Sequence, residues 1–259
     1  MRSKIAGCVV MMLAVPLWGQ VGGAVSTGTG SPAVAAVSAP TAEQIARMQA
    51  RLADWPQLNY YREANARLAP VAAGEQRVVF FGASVAEFWG KRGDVFFPGK
   101  PYINRGIGGQ TSAQMLVRFR QDVIDLHPAA VVILEGTNDI AGNTGLMTPE
   151  MSENNWRSMA ELAKANGIRV ICTSITPSTD FPWHRGVHPA EKIRAANAWL
   201  KEYCTSHSLG YADFYPLLAN AEGGMKAELT VDGVHPNAKG YAAMAPVVQS
   251  AIDEALRSR

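Results

Sequence analysis

Apolar residues in this chain fall into short unbroken runs separated by longer stretches with helical spacing. Val78–Phe81, Ala130–Leu134 and Arg169–Ser174 are nearly continuous apolar runs. Such runs suit strands covered on both faces. Tyr102–Asn104 and Tyr211–Phe214 complete a set of five predicted strands. Ser112–Leu126, Ser152–Asn166, Pro189–Ser206 and Pro236–Ser258 read as helices, with Gly167 as a C-cap signal and Pro189 in a first turn. Strand and helix alternate, which predicts an α/β domain with a parallel sheet and right-handed crossovers. No internal repeat exceeds one tetrapeptide, Gly-Val-His-Pro, found at 186–189 and 233–236.

The first forty residues do not follow this pattern. Arg2 and Lys4 precede an apolar run from Ile5 to Trp18, too short for a comfortable membrane span. Residues 1–20 therefore read as a secretory signal peptide, cleaved between Gly19 and Ala24, with the mature protein secreted or periplasmic and not inserted in a membrane. Ile5-Ala6-Gly7-Cys8 resembles a lipoprotein box but precedes the apolar run instead of ending it. Residues 21–40, rich in Gly, Ser, Thr, Ala and Pro, read as a flexible linker. Residues 41–259 form the domain, opening with a helical arm at 41–76 that Thr41 caps and Pro56 and Pro70 break. The aromatic cluster Trp55, Tyr60 and Tyr61, with Leu58, is expected to pack this arm on the body; part of a site rim is the other reading.

Composition adds bounds. With 47% hydrophobic residues, 18% charged and a net charge of +2, the chain is ordinary globular material. It shows no basic stripe with interleaved aromatics and gives no reason to expect a nucleic-acid partner. Oligomeric state is not readable. Cys172 and Cys204 read as two separate buried thiols, although an oxidising compartment permits a bridge.

Chemistry concentrates at the ends of the predicted strands. Asp232-Gly233-Val234-His235-Pro236 sets a carboxylate three residues before a histidine in a Gly/Pro turn. That arrangement suits a general base whose tautomer is fixed by the acid. The other Gly-Val-His-Pro carries Arg185 where the acid would stand, which disfavours an imidazolium at His188. His184 and His188 share metal-like spacing, but Gly186 and Pro189 argue against a helix and no glutamate accompanies them as in H-E-x-x-H. Gly82-Ala83-Ser84 places a hydroxyl where the first strand ends; a plain helix N-cap is the other reading. Gly106-Ile107-Gly108-Gly109 fails the dinucleotide fingerprint, since Thr111 stands where a glycine is required. Gly136-Thr137-Asn138-Asp139 follows the third strand. The Asn138 amide can donate to a developing oxyanion or simply cap a turn, and Asp139 reads as a structural partner in its turn.

Taken in order, the Ser84, Gly109, Asn138 and His235 segments resemble the four blocks of the SGNH, or GDSL-type, hydrolases. Gly-Thr-Asn-Asp matches the third block letter for letter, while Ala83 replaces the aspartate usual in the first. The resemblance runs from about Arg77 to Pro246. It implies a three-layer α/β/α sandwich with a five-stranded parallel sheet in flavodoxin-like order. It also implies a catalytic set of Ser84, Asp232 and His235, and an oxyanion hole built from Ser84 N–H, Gly109 N–H and Asn138. The implied activity is serine-dependent ester hydrolysis with no metal or cofactor. The α/β-hydrolase plan explains less, because Asp232 and His235 share one loop and Gly-Thr-Asn-Asp has no counterpart there.

Substrate is read less sharply. Trp89, Phe181 and Trp183 lie in segments near the sheet's carboxyl edge, where they could stack on a sugar, line an acyl groove or fill core. Without a long apolar insert to act as lid or tunnel, the site is expected to be shallow and to favour short acyl esters, such as acetyl groups on carbohydrate. Lysophospholipase or thioesterase activity is the alternative, and a catalytically silent binding module on the same fold is the third.

Overall fold

The computed structural model describes residues 39–257; the predicted signal peptide and all but the last two residues of the linker lie outside them. Five strands, β1 (Val78–Gly82), β2 (Tyr102–Gly106), β3 (Ala130–Leu134), β4 (Arg169–Thr173) and β5 (Gly210–Ala212), form one parallel sheet in the order β2-β1-β3-β4-β5. This is the flavodoxin-like order. Val78 and its successors pair residue for residue with Tyr102 onward on one side and Ala130 onward on the other.

The helices are α1 (Ala42–Ala53), α2 (Arg62–Ala66), α3 (Ser84–Glu87), α4 (Ser112–Asp122), α5 (Thr137–Ala141), α6 (Pro149–Ala165), α7 (Ala190–Ser206), α8 (Tyr215–Leu218) and α9 (Ala238–Arg257). Strand periodicity sorts the core into two layers. Val79, Phe81, Val131, Ile133, Val170 and Cys172 face α4, α6 and α7. Val78, Phe80, Val132, Leu134, Ile171 and Ala212 face α3, α8 and α9. Both faces being covered explains why these strands read as continuous apolar runs.

Several boundaries differ from expectation. The predicted helix Ser112–Leu126 stops at Asp122 and continues as a 3-10 turn over Ile124–Leu126. α6 starts three residues before Ser152, because Thr148 accepts the Met151 N–H at 3.3 Å and Pro149 fits the first turn. The arm is less helical than predicted; Pro56 follows the end of α1, and 54–61 runs as turns across the body. Short helices α3 and α5, too brief to leave a periodic signal, follow β1 and β3 directly. Cys172 and Cys204 are buried and unbridged, with their thiols against each other. Among the described residues no helix is long and apolar enough to cross a membrane.

Arg118 is the one fully buried cation within this core. Its guanidinium donates to Gly82 O (3.0 Å), Arg105 O (2.9 Å), Gln110 Oε1 (2.6 Å) and Asp122 Oδ2 (3.0 Å), and lies over the Phe81 ring. Replacing it takes the cation from Asp122, which is also wholly buried and would keep only the neutral donors Asn65 Nδ2 (2.7 Å) and Gln121 Nε2 (3.4 Å). Arg118→Met is therefore expected to cost about 3–5 kcal/mol of unfolding free energy, read from urea denaturation. A loss under about 1 kcal/mol would mean that the core reorganises around the missing charge.

Candidate active site

In this strand order, chain crossings leave β1 in opposite directions, opening a crevice at the carboxyl ends of β1 and β3. Three loops meet there: Ser84 follows β1, the glycine loop follows β2, and Asn138 follows β3. The segment after a short 3-10 turn at Ala227–Leu229 then brings Asp232 and His235 over them.

The Asp232 turn is organised by its own carboxylate. Oδ1 accepts the backbone N–H of His235 (2.8 Å) and Val234 (3.0 Å), while Oδ2 faces His235 Nδ1 at 2.7 Å. His235 Nε2 lies 2.9 Å from Ser84 Oγ. Burial opposes ionisation of Asp232, but the backbone and ring donors of His235 outweigh it and hold the carboxyl below its usual range. Nδ1 then carries the proton and Nε2 is left as acceptor for the Ser84 hydroxyl. His188, in the twin tetrapeptide, is exposed and makes no such contact. His184 Nδ1 is engaged by Ala141 O at 2.5 Å.

The glycine loop has one unengaged donor. Ile107 N–H reaches Gly82 O (3.0 Å), Gly108 N–H reaches Glu87 Oε2 (2.7 Å), and Gln110 N–H reaches Ile107 O (3.4 Å). Thr111 N–H donates to Gln114 Oε1 (3.0 Å) and Ser112 N–H to Asp139 Oδ1 (2.8 Å). Among the described residues, Gly109 N–H has no partner; its φ of +77° is a conformation that glycine adopts without strain. Asn138 is nearly buried. One of its amide hydrogens goes to Gln110 O (2.8 Å), and its Oδ1 accepts Asn143 Nδ2 (2.9 Å). The second Asn138 hydrogen remains available. Ser84 N–H opens α3, where no preceding turn supplies an acceptor.

Asn143 was not singled out from the sequence. It binds Asn138 Oδ1, donates to Gly109 O (3.1 Å) and accepts Trp183 Nε1 (3.0 Å), tying two predicted oxyanion groups to an aromatic rim. Its setting, Gly142-Asn143-Thr144-Gly145, signals only a turn. Phe88 was missed too; its ring meets His235 edge-on at 5.4 Å. Asp139 reaches beyond its own turn, with its carboxylate accepting from Ser112 N–H and Oγ (2.5 Å) at the start of α4.

Of the three aromatics predicted near substrate, Trp183 alone stands at the surface, 43% exposed and 6.0 Å from the His235 ring. Trp89 is a correction: it packs among Phe80, Phe97 and Tyr241 on the α9 side of the sheet and has no face free for a ligand. Phe181 is likewise buried, stacked under Trp183 at 5.2 Å. The two rings of this loop lie one over the other, so only the outer one is open to a ligand, which spacing alone does not encode.

Behind Asn138 lies an apolar cavity of about 450 Å³, with Ile140, Leu146, Met147, Trp156, Ile175 and Trp199 among its walls. Ser84, Asp232 and His235 do not line it.

A profile of the GDSL-like lipase/acylhydrolase family matches residues 80–243, well over half of the chain. A candidate acylhydrolase from Bacteroides fragilis has a solved structure that superimposes with a TM-score of 0.76 at 44% identity, covering 78% of this chain and 99% of that one. A GDSL-like lipase from Bacteroides thetaiotaomicron gives 0.75 at 42% identity, with 78% and 99% covered. Esterase TesA of Pseudomonas aeruginosa is 29% identical over 136 residues, which is 52% of this chain and 60% of that protein. The matched part thus spans less than two thirds of that curated relative.

A further carboxyl group sits behind the Ser84 loop. Glu135 is wholly enclosed, beside a small cavity that Ser84, Asn138 and Thr176 also line. Burial pushes its carboxyl well above the usual range, and the neighbouring Asp139 charge adds to that. A raised folded pKa means stability is fully present below the unfolded value, about 4.3, and is lost as pH climbs through the folded one. Glu135→Gln keeps the shape without the titration. Its unfolding free energy should match wild type near pH 4 and exceed it progressively above, by up to about 1.4 kcal/mol per pH unit in that window. A difference that does not vary with pH would show that Glu135 ionises as readily folded as unfolded.

Proposed function

The chain belongs to the GDSL-like lipase/acylhydrolase family, and from that premise we propose that it is an exported serine ester hydrolase acting on short-chain acyl esters, including O-acetyl groups on carbohydrate. One observation carries the reading: the contacts from Asp232 through His235 to Ser84 end beside two unengaged donors, Gly109 N–H and the second Asn138 hydrogen. In this mechanism Ser84 Oγ attacks the ester carbonyl while His235 Nε2 takes its proton. Asp232 stabilises the imidazolium, and Ser84 N–H, Gly109 N–H and Asn138 receive the oxyanion. His235 returns the proton to the leaving alcohol, giving an acyl-enzyme at Ser84. Water, deprotonated by the same histidine, then releases the acid. The charged apolar leader at Arg2–Trp18 is what supports export.

A fluorophosphonate should label the protein once, at Ser84, and Ser84→Ala should abolish both labelling and ester turnover. Asn138→Ala should cost about two to three decades in kcat with KM nearly unchanged, because the amide acts mainly on the transition state. A raised KM at constant kcat would make Asn138 a substrate-binding group only.

A second reading has its own support. The cavity behind Asn138 could receive a longer acyl chain if Ile175, which lines both this cavity and the small one beside Ser84, moved aside. A p-nitrophenyl ester series decides between them. With Ile175 closed, kcat/KM peaks at acetyl to butyryl and falls beyond roughly hexanoyl, because added methylenes find no wall worth about 0.8 kcal/mol each. A rise continuing to decanoyl would favour a lipid or thioester substrate.

A further inference from the structure

The family profile begins at residue 80, yet the arm before it reaches into the site. Tyr60 O–H donates to Glu87 Oε1 at 2.8 Å, and Glu87 Oε2 accepts Gly108 N–H at 2.7 Å. Tyr61 O–H donates to Gly106 O on the same loop. Gln110 Nε2 reaches Pro56 O (2.9 Å) and Gln57 Oε1 (3.0 Å), and Gln114 Nε2 reaches Trp55 O (2.6 Å). The arm thus grips both ends of the glycine loop. We propose that Tyr60 and Glu87 are positioning residues that set the direction of Gly109 N–H, making the 54–61 segment a working part of the oxyanion site. This rests on the hydrolase reading above.

The argument is one of peptide planes. Gly109 N–H belongs to the peptide between Gly108 and Gly109, and both residues lack the side chains that would limit rotation. The preceding peptide is held through Gly108 N–H on Glu87. The following one is held at Gly109 O by Asn143 and at Gln110 N–H by Ile107 O. With both neighbours held, the Cα positions of Gly108 and Gly109 are set, and the middle plane can turn only by a coupled ψ and φ rotation about the line joining them; the observed Gly109 φ of +77° defines its setting. Glu87 gives the stronger hold, since a carboxylate accepting a backbone N–H makes a charge-assisted bond. Its side chain is only 15% exposed; Lys91 Nζ is 3.4 Å from Oε1, on the solvent side. A Cβ on residue 108 would stand 2.8 Å from Oε2, so glycine permits this approach. Tyr60, from outside the matched region, fixes the carboxylate in turn.

The test is steady-state kinetics of the full chain on p-nitrophenyl acetate, with inhibition by an arylboronic acid, whose tetrahedral adduct places an oxygen in the oxyanion site. Glu87→Ala should lower kcat about tenfold or more while KM stays within about twofold, and boronate affinity should fall in parallel. Glu87→Gln retains an oxygen that accepts Gly108 N–H and should recover most of kcat. Tyr60→Phe should lose about threefold in kcat, and it carries the test if the alanine variant does not fold. Variants that melt earlier but keep wild-type kcat and boronate affinity would overturn the proposal, as would a raised KM at unchanged kcat. Absence of turnover and fluorophosphonate labelling in the wild type would instead indict the hydrolase reading.

Discussion

A buried guanidinium ties together the strand ends from which the site is built. Where β1 and β2 give way to loops, their carbonyls have a second lone pair to satisfy; Gly82 O already accepts Ile107 N–H (3.0 Å). Arg118 answers both Gly82 O and Arg105 O, and its Nε orients the Gln110 side chain. Gln110 in turn meets the arm through its amide and Asn138 through its backbone oxygen. Loops from β1, β2 and β3 therefore share one anchor. The Arg118–Asp122 pair need not add net stability over an apolar replacement, since burying two charges costs several kcal/mol per ion. What it fixes is where Ser84, Gly109 and Asn138 stand relative to one another.

The acids around the crevice are differentiated by surroundings, not by type. Asp232, partly exposed and met by three donors, is held ionised, as a group orienting a histidine must be. Asp139 is buried and held up by desolvation, though Ser112 pulls the other way. Glu135 is buried too, and its oxygens find no side-chain donor. On the proposed mechanism, the bias of Glu135 toward the uncharged form lessens the negative charge behind the developing oxyanion, which an ionised carboxylate would oppose.

What could be read from sequence followed from how local each signal was. β3 was bounded correctly, and the sheet followed from apolar runs, because burial on both faces leaves a continuous signature. The Asp232 turn was legible because one carboxylate, two backbone donors and an imidazole lie within four residues. Glu87 and Asn143 were not, and Tyr60 only as one of an aromatic cluster that could rim a site, since each acquires its partner through tertiary contact: Tyr60 and Glu87 are 27 residues apart, and Asn143 meets Gly109 across 34. Trp89 failed for a related reason. It follows the short helix α3, whose turn directs it down onto the sheet, and that turn has no periodicity to reveal it.

On the proposed reading, chain-length selectivity depends on a wall more than on a lid. Gly136 has φ +128°, and a Cβ there would fall 2.3 Å from Ile175 Cδ1, so Ile175 is pressed against the Asn138 loop. Ile175 is itself fixed from α7, with its N–H donating to Asn197 Oδ1 (2.7 Å) and its carbonyl accepting Asn197 Nδ2 (3.0 Å). The two bonds clamp the Ile175 backbone, because shifting it would leave a buried donor and acceptor unmet at about 1–3 kcal/mol each, whereas turning the side chain about χ1 breaks neither. That cost offsets what two or three methylenes could return by entering the cavity behind. A short acyl group needs Ile175 to move in neither way, which is the physical basis of the short-chain reading, even though apolar space for a longer chain lies on the other side of this residue.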